Sequence, residues 1–143
     1  SPSRGLGDVY KRQLLACSDF LATVAPLNQE TLGFLDRKRL SQMKKGSALI
    51  TVSGVSIVDQ TELLKFIESG YLSGAAIDVF DTHPVAPDSP LLSNDQLMLT
   101  PHIGGATDET IDRYSNMIAT DLLLFLEKAK PINILNPEVL NHI

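Results

Sequence analysis

The chain has 143 residues, 43% hydrophobic, 20% charged and 6% aromatic, which suits one domain with a single buried core. Twelve Lys and Arg against seventeen Asp and Glu give a net charge of −5 and a pI near 5.0, which excludes a nucleic-acid binder working through a basic face. The longest apolar run, 122–126, falls far short of the roughly 20 residues of a membrane helix, and one cysteine, Cys17, excludes an internal disulfide and a cysteine-rich metal cluster. No metal site is expected, and Cys17 reads as a buried spare thiol. The polar, glycine-rich start lacks the basic-then-apolar pattern of a secretory signal, so a cytoplasmic protein is expected.

Residues 1–13 show neither a helical nor a strand period and read as a disordered or non-native lead. The apolar run 20–24, stopped by Pro26, predicts a buried strand. Leu40 and Met43 at helical spacing, with Gly46 as a stop, predict a helix over 36–45. A second strand is predicted over 48–52. Asp59 followed by Glu62 resembles a capping box and opens a helix that Gly70 ends. Strands over 74–80 and 96–100 follow, the second halted by Pro101. Thr107 then caps the longest helix, with Asp108 and Glu109 in its first turn. Ile111, Tyr114, Met117, Ile118, Leu122, Phe125 and Leu126 trace one face of it, and Pro131 closes it. His142 reads as an exposed tail residue. The alternation predicts βαβ units: an α/β fold with a mostly parallel sheet.

Ligands of such sheets sit beyond the carboxyl ends of the strands. Four clusters of this chain fall at such an end: Ala25-Pro26, Val52-Ser53-Gly54, Asp78 with Asp81 and His83, and His102-Ile103-Gly104-Gly105. Turn chemistry alone accounts for any one of them, whereas four together read as a site.

Four segments occur in order: 18–31 (Ser-Asp-Phe to Pro-Leu-Asn-Gln-Glu-Thr), 57–63 (Ile-Val-Asp-Gln-Thr-Glu-Leu), 74–80 (Gly-Ala-Ala-Ile-Asp-Val-Phe) and 99–107 (Leu-Thr-Pro-His-Ile-Gly-Gly-Ala-Thr). Together they resemble the C-terminal part of the D-isomer-specific 2-hydroxyacid dehydrogenases, the group that includes phosphoglycerate and glyoxylate/hydroxypyruvate enzymes. The resemblance covers about residues 14–138. It implies the second half of a Rossmann-type, doubly wound NAD(P)-binding domain over 14–130. Residues 131–143 would be a tail crossing back to a separate substrate domain. The family's Gly-x-Gly-x-x-Gly loop does not occur in this sequence, and Gly5-Leu6-Gly7 is too short to stand for it.

The resemblance also implies site roles. His102 matches the family's catalytic histidine, which exchanges the substrate hydroxyl proton while the nicotinamide of NAD or NADP carries hydride. An imidazole suits that task because its ordinary pKa, about 6.5, lies near working pH. Two catalytic positions depart from the pattern. The family's arginine falls on Gly54, which offers no bidentate grip on a carboxylate, and the family's glutamate falls on His83. Asp81 would share the side of His83 in an extended segment and is a candidate substitute. Ala25 and Pro26 match a loop that touches the cofactor, Val52, Ser53 and Gly54 a loop whose backbone nears the nicotinamide, and Asp78 a contact to the nicotinamide end. Gly104 and Gly105 allow close approach to a ligand before the Thr107 helix. The expected activity is that of a piece of an NAD(P)-dependent oxidoreductase of 2-oxo or 2-hydroxy acids, inactive alone. The alternative is a catalytically impaired descendant serving as a nucleotide-binding or interaction module. A homodimer is expected by family analogy, with no nucleic-acid or membrane partner.

Overall fold

Short apolar strands separated by capped helical segments can pair in parallel only if each connection crosses back over the sheet. The computed structural model describes residues 2–142 and has this arrangement: β1 (Phe20–Thr23), β2 (Ala48–Thr51), β3 (Gly74–Ile77) and β4 (Leu97–Leu99) lie side by side in that order. Every pairing is parallel. Side chains are described for residues 9–139, so His142 lies outside that description. The chain divides into two units, residues 1–104 and 105–143, each taken by itself. No helix among the described residues is long and apolar enough to cross a membrane.

In the first unit, strand register sets Leu21, Leu49 and Ala75 in one row and Thr23, Thr51 and Ile77 in the next row on the same face. That face is covered. Leu15 of α1 (Pro2–Cys17), Leu40 of α2 (Arg37–Leu40) and Leu63 and Ile67 of α3 (Gln60–Glu68) share its core. The alternate positions Phe20, Ala22 and Met98 are exposed, so the run predicted over 20–24 forms a strand, β1, that ends at Thr23 and is buried on one side rather than two. Continuous apolar runs are the mark of strands built for cover on both faces, and within this unit helices cover one.

The segment expected to be an irregular lead is helical from Pro2 onward. Its period escapes detection because Leu15 is the described α1 residue that enters the core, while Val9, Tyr10 and Leu14 are exposed. Tertiary contact fixes this helix: the Lys44 amide donates to the Leu15 carbonyl at 3.1 Å, and the Lys11 ammonium lies 5.1 Å from the Phe34 ring centroid. Cys17 is exposed, not buried, since two helical steps turn it about 200° from Leu15.

The helix predicted over 36–45 stops at Leu40. Asp36 caps it by accepting from the Arg39 amide at 2.8 Å. Beyond it the single Tyr71 hydroxyl proton is shared between the carbonyls of Ser41 and Met43, at 2.9 and 2.8 Å, which ties this turn to the segment after α3. Leu40 and Met43 stay buried as the spacing predicts. Asp59 caps α3 by accepting from the Glu62 amide at 3.0 Å, and Gly70, at φ +69°, ends that helix in the left-handed conformation that glycine tolerates. Gly74 opens β3 where a Cβ would collide with the Gln96 carbonyl oxygen. Gly74→Ala should therefore lower stability by about 1–3 kcal/mol, read as a shift in the urea midpoint at unchanged slope.

The second unit is built on α4 (Asp108–Leu126), capped by the Thr107 hydroxyl, which accepts from the Thr110 amide at 3.2 Å. The predicted apolar stripe from Ile111 to Leu126 is present, and every member of it is exposed. The tail returns along the helix. Asp121 accepts from the amides of Ile132 (2.6 Å) and Asn133 (3.2 Å), and from the Asn133 side-chain amide (3.0 Å). The Ile132 amide, foremost, holds the Asp121 carboxyl below the ordinary aspartate range. Asp121→Ala should raise amide exchange at Ile132 and Asn133 selectively, and acidification to below the ordinary aspartate range should do the same to the unsubstituted chain.

Candidate functional site

The loops beyond the four strands are stitched to one another. At the end of β1, the Thr23 carbonyl accepts from the Val52 amide at 3.3 Å and from the Ser53 hydroxyl at 3.1 Å. The Thr51 carbonyl accepts from the Asp78 amide at 3.1 Å, the Val79 carbonyl from the Val55 amide at 3.0 Å, and the Ile77 carbonyl from the Thr100 amide at 3.0 Å. These bonds continue the parallel ladder past the strands, so neighbouring loops keep its register.

Asp78 lies at the centre. It follows β3, is buried, and directs its carboxylate at the segment after β4. Oδ1 accepts from the Thr100 hydroxyl at 2.5 Å and the Ile103 amide at 3.0 Å, while Oδ2 accepts from the Gly104 amide at 2.9 Å. The Thr100 hydroxyl, foremost, then the Gly104 and Ile103 amides and the nearby His102, hold this carboxyl below the ordinary aspartate range against the contrary effect of burial. Among the described residues, Oδ2 accepts this one hydrogen bond and Oδ1 accepts two. A Cβ at position 104 would lie 2.9 Å from Oδ2, which is why glycine stands there.

The clamp turns the chain sharply. Thr100 and Ile103 are tied to one oxygen, and between them His102 adopts φ +57°, a left-handed conformation that histidine enters more readily than most residues. The His102 ring stacks on that of His83, centroids 5.5 Å apart and planes 27° from parallel. His83 in turn meets the edge of Phe80 at 6.1 Å. The two predicted histidines therefore come together, carried by the segments that follow β3 and β4. Asp81 takes another course. The stretch 81–84 bends instead of extending, and the Asp81 carboxylate accepts from the Gln60 side chain at 3.2 Å. The condition under which it could replace a carboxylate beside His83 is not met.

Gly54 has φ +34°, and a Cβ there would lie 3.2 Å from Leu27 Cδ2. The backbone at this position is shaped for glycine, so an arginine would add strain as well as a guanidinium. A cavity of about 220 Å³ lies over the uncovered face of the sheet, where the paired Ile50, Ala76 and Met98 form its apolar wall, and reaches the carboxyl end at Thr51, Val52, Asp78, Thr100, Ile103 and Gly104. Ala25 borders a different cavity, about 390 Å³, beside Thr23, Thr31 and Phe34. Pro26 is exposed beside it, and its carbonyl accepts from the Thr31 hydroxyl at 2.7 Å. Gly105 belongs to the second unit. Sequence patterns missed Thr100 and Phe80. Thr100, between β4 and Pro101, has the side chain of an ordinary strand-end residue, and its role appears only once Asp78 faces it.

A family model described as the D-isomer specific 2-hydroxyacid dehydrogenase, NAD binding domain matches residues 4–104. The chain belongs to this family. The match begins inside the segment expected to be a non-native lead. The chain is 36% identical over 135 residues to the glyoxylate reductase of Korarchaeum cryptofilum (strain OPF8), covering 94% of this chain and 41% of that protein. It superposes on the TT0316 protein from Thermus thermophilus with a TM-score of 0.80 and 35% identity, covering 86% of this chain and 39% of that one. The D-isomer specific 2-hydroxyacid dehydrogenase from Xanthobacter autotrophicus Py2, solved in complex with NADPH and MES, gives a TM-score of 0.74 at 26% identity, covering 91% of this chain and 53% of that one. The chain spans about two fifths of the length of the curated relatives it matches.

As an NAD-binding domain of the dehydrogenase family, the chain takes NAD or NADP as its cofactor. The residues present offer the kinds of group that part of such a dinucleotide requires. A planar heterocycle with a carboxamide needs an apolar wall and a few fixed polar groups, and the 220 Å³ cavity combines Ile50, Ala76 and Met98 with Thr51, Asp78 and Thr100.

Proposed function

We propose that this dehydrogenase domain serves NAD(P)-dependent interconversion of a 2-oxo acid and a D-2-hydroxy acid, with glyoxylate or hydroxypyruvate as the first substrates to try. The observation that carries the reading is the Asp78 clamp, which holds His102 in a left-handed turn beside a cavity suited to nicotinamide. The bound dinucleotide supplies the hydride. His102 supplies the other half of the reaction, donating a proton from its imidazole to the substrate oxygen during reduction and taking it back during oxidation. Val52, Ser53 and Gly54 present backbone to the nicotinamide side, and Ala25 and Pro26 meet another part of the extended cofactor. Gly104 lets the chain close over Asp78, and Gly105 follows it in the chain.

No guanidinium comes from the Val52–Gly54 loop, so the substrate carboxylate is held more weakly, at a cost of about 1.5–3 kcal/mol. These 143 residues act together with a phosphate-binding loop and a substrate domain that they do not themselves include, and alone they turn nothing over. The Gly54 backbone favours a second reading, a domain that binds nucleotide without turnover, because its φ of +34° and the nearby Leu27 disfavour the missing side chain.

Oxidation of NADH or NADPH by the full-length protein, dependent on added glyoxylate or hydroxypyruvate, tests the first reading. NADH binding without oxidation would favour the second.

A further inference from the structure

An imidazole that must exchange protons needs both a fixed ring plane and free nitrogens, and hydrogen bonding spends a nitrogen to gain the plane. Among the described residues, neither the His102 ring nor the His83 ring is hydrogen-bonded to a protein group. The His102 backbone is fixed by the Asp78 clamp, but that clamp leaves rotation about its side-chain bonds open. What the ring touches is a stack. Phe80 is buried with Val55, Leu64, Ile77 and Leu91, His83 meets its edge at 6.1 Å and 79°, and His102 lies over His83 at 5.5 Å and 27°. Both spacings fall within the range where aromatic rings attract one another.

Resting on the catalytic reading of His102, we propose that His83 is a positioning residue that fixes the plane of the His102 ring by stacking, anchored through Phe80 to the core. Both His102 nitrogens then remain free, one for the substrate oxygen and one for proton exchange with solvent. The group needed at position 83 is an aromatic face, and neither its charge nor its hydrogen-bonding edge carries the role.

The test compares His83→Phe, His83→Gln and His83→Ala in the full-length protein, by steady-state kinetics and by NMR of the His102 ring protons. His83→Ala and His83→Gln should lower kcat on the order of 10- to 100-fold with KM little changed, and His83→Phe should restore kcat to within about threefold. The His102 ring resonances should move downfield in the Ala and Gln variants, with loss of the stacked ring, and stay in place in the Phe variant. Retention of kcat by His83→Gln with its loss in His83→Phe would overturn the proposal, since a hydrogen bond would then be the working contact. Unchanged His102 resonances in His83→Ala would overturn it too. A full-length protein that oxidises no NADH would overturn the catalytic reading alone, because the NMR comparison still decides whether the stack holds the ring.

Discussion

His102→Asn in the full-length protein should lower kcat for reduction of a 2-oxo acid by about 10²–10⁴-fold, the range that a positioned general acid–base contributes. Asparagine is the informative replacement because it also tolerates φ near +57°, so the turn held by Asp78 survives while the titrating ring is lost. NADH affinity should change little. Thermal denaturation should move by no more than a few degrees, since His102 is exposed. Parallel losses in kcat and cofactor affinity would show instead that the whole loop had collapsed.

Asp78→Asn should give the second largest effect, on both stability and rate. One carboxylate oxygen becomes an amide nitrogen that donates, and whichever way the amide is turned, a donor faces a donor. Turned to keep Oδ1 facing Thr100 and Ile103, the side chain opposes the Gly104 amide at the 2.9 Å position. Hydrogen bonds to a charged group are worth about 1.5–3 kcal/mol each, and loss of one should lower unfolding free energy by roughly that amount. The pH dependence has a definite sign. The folded-state pKa of Asp78 is depressed, so its stabilisation is fully present above the unfolded aspartate value, about 3.9, and is lost as pH falls through the lower folded value. The stability gap between the two proteins, measured by urea titration, should be constant from neutral pH to about pH 4 and shrink below that. Because the clamp sets the His102 turn, kcat should fall as well, on the order of 10², as small displacements of a catalytic group typically do.

Where sequence and structure agree, the signal is local. Asp59, Thr107 and Gly70 cap or end helices through bonds spanning three or four residues, and each works as its spacing predicts. The strand runs are legible because β2 to β4 are short, apolar and bounded by turn residues. Where they disagree, the cause lies far away in the chain. The helix after Asp36 stops at Leu40, where Tyr71 bonds the following turn, and α1 is held by Leu15, Lys11 and Lys44. Asp81 is claimed by Gln60, 21 positions earlier.

The sequence alone determined the α/β class, the parallel sheet and the candidate residues at its strand ends, because hydrophobic period, caps and turn residues act over a few bonds. It also carried the family motifs that single out His102. Tertiary structure decided what those residues do to one another: that Asp78 spends three acceptor bonds on the Thr100–Gly104 turn, that His83 offers a ring face in place of a carboxylate, and that Gly54 sits in a backbone shaped for glycine. Such contacts join residues more than a dozen positions apart. Their geometry depends on strand register and loop closure, which no local pattern encodes.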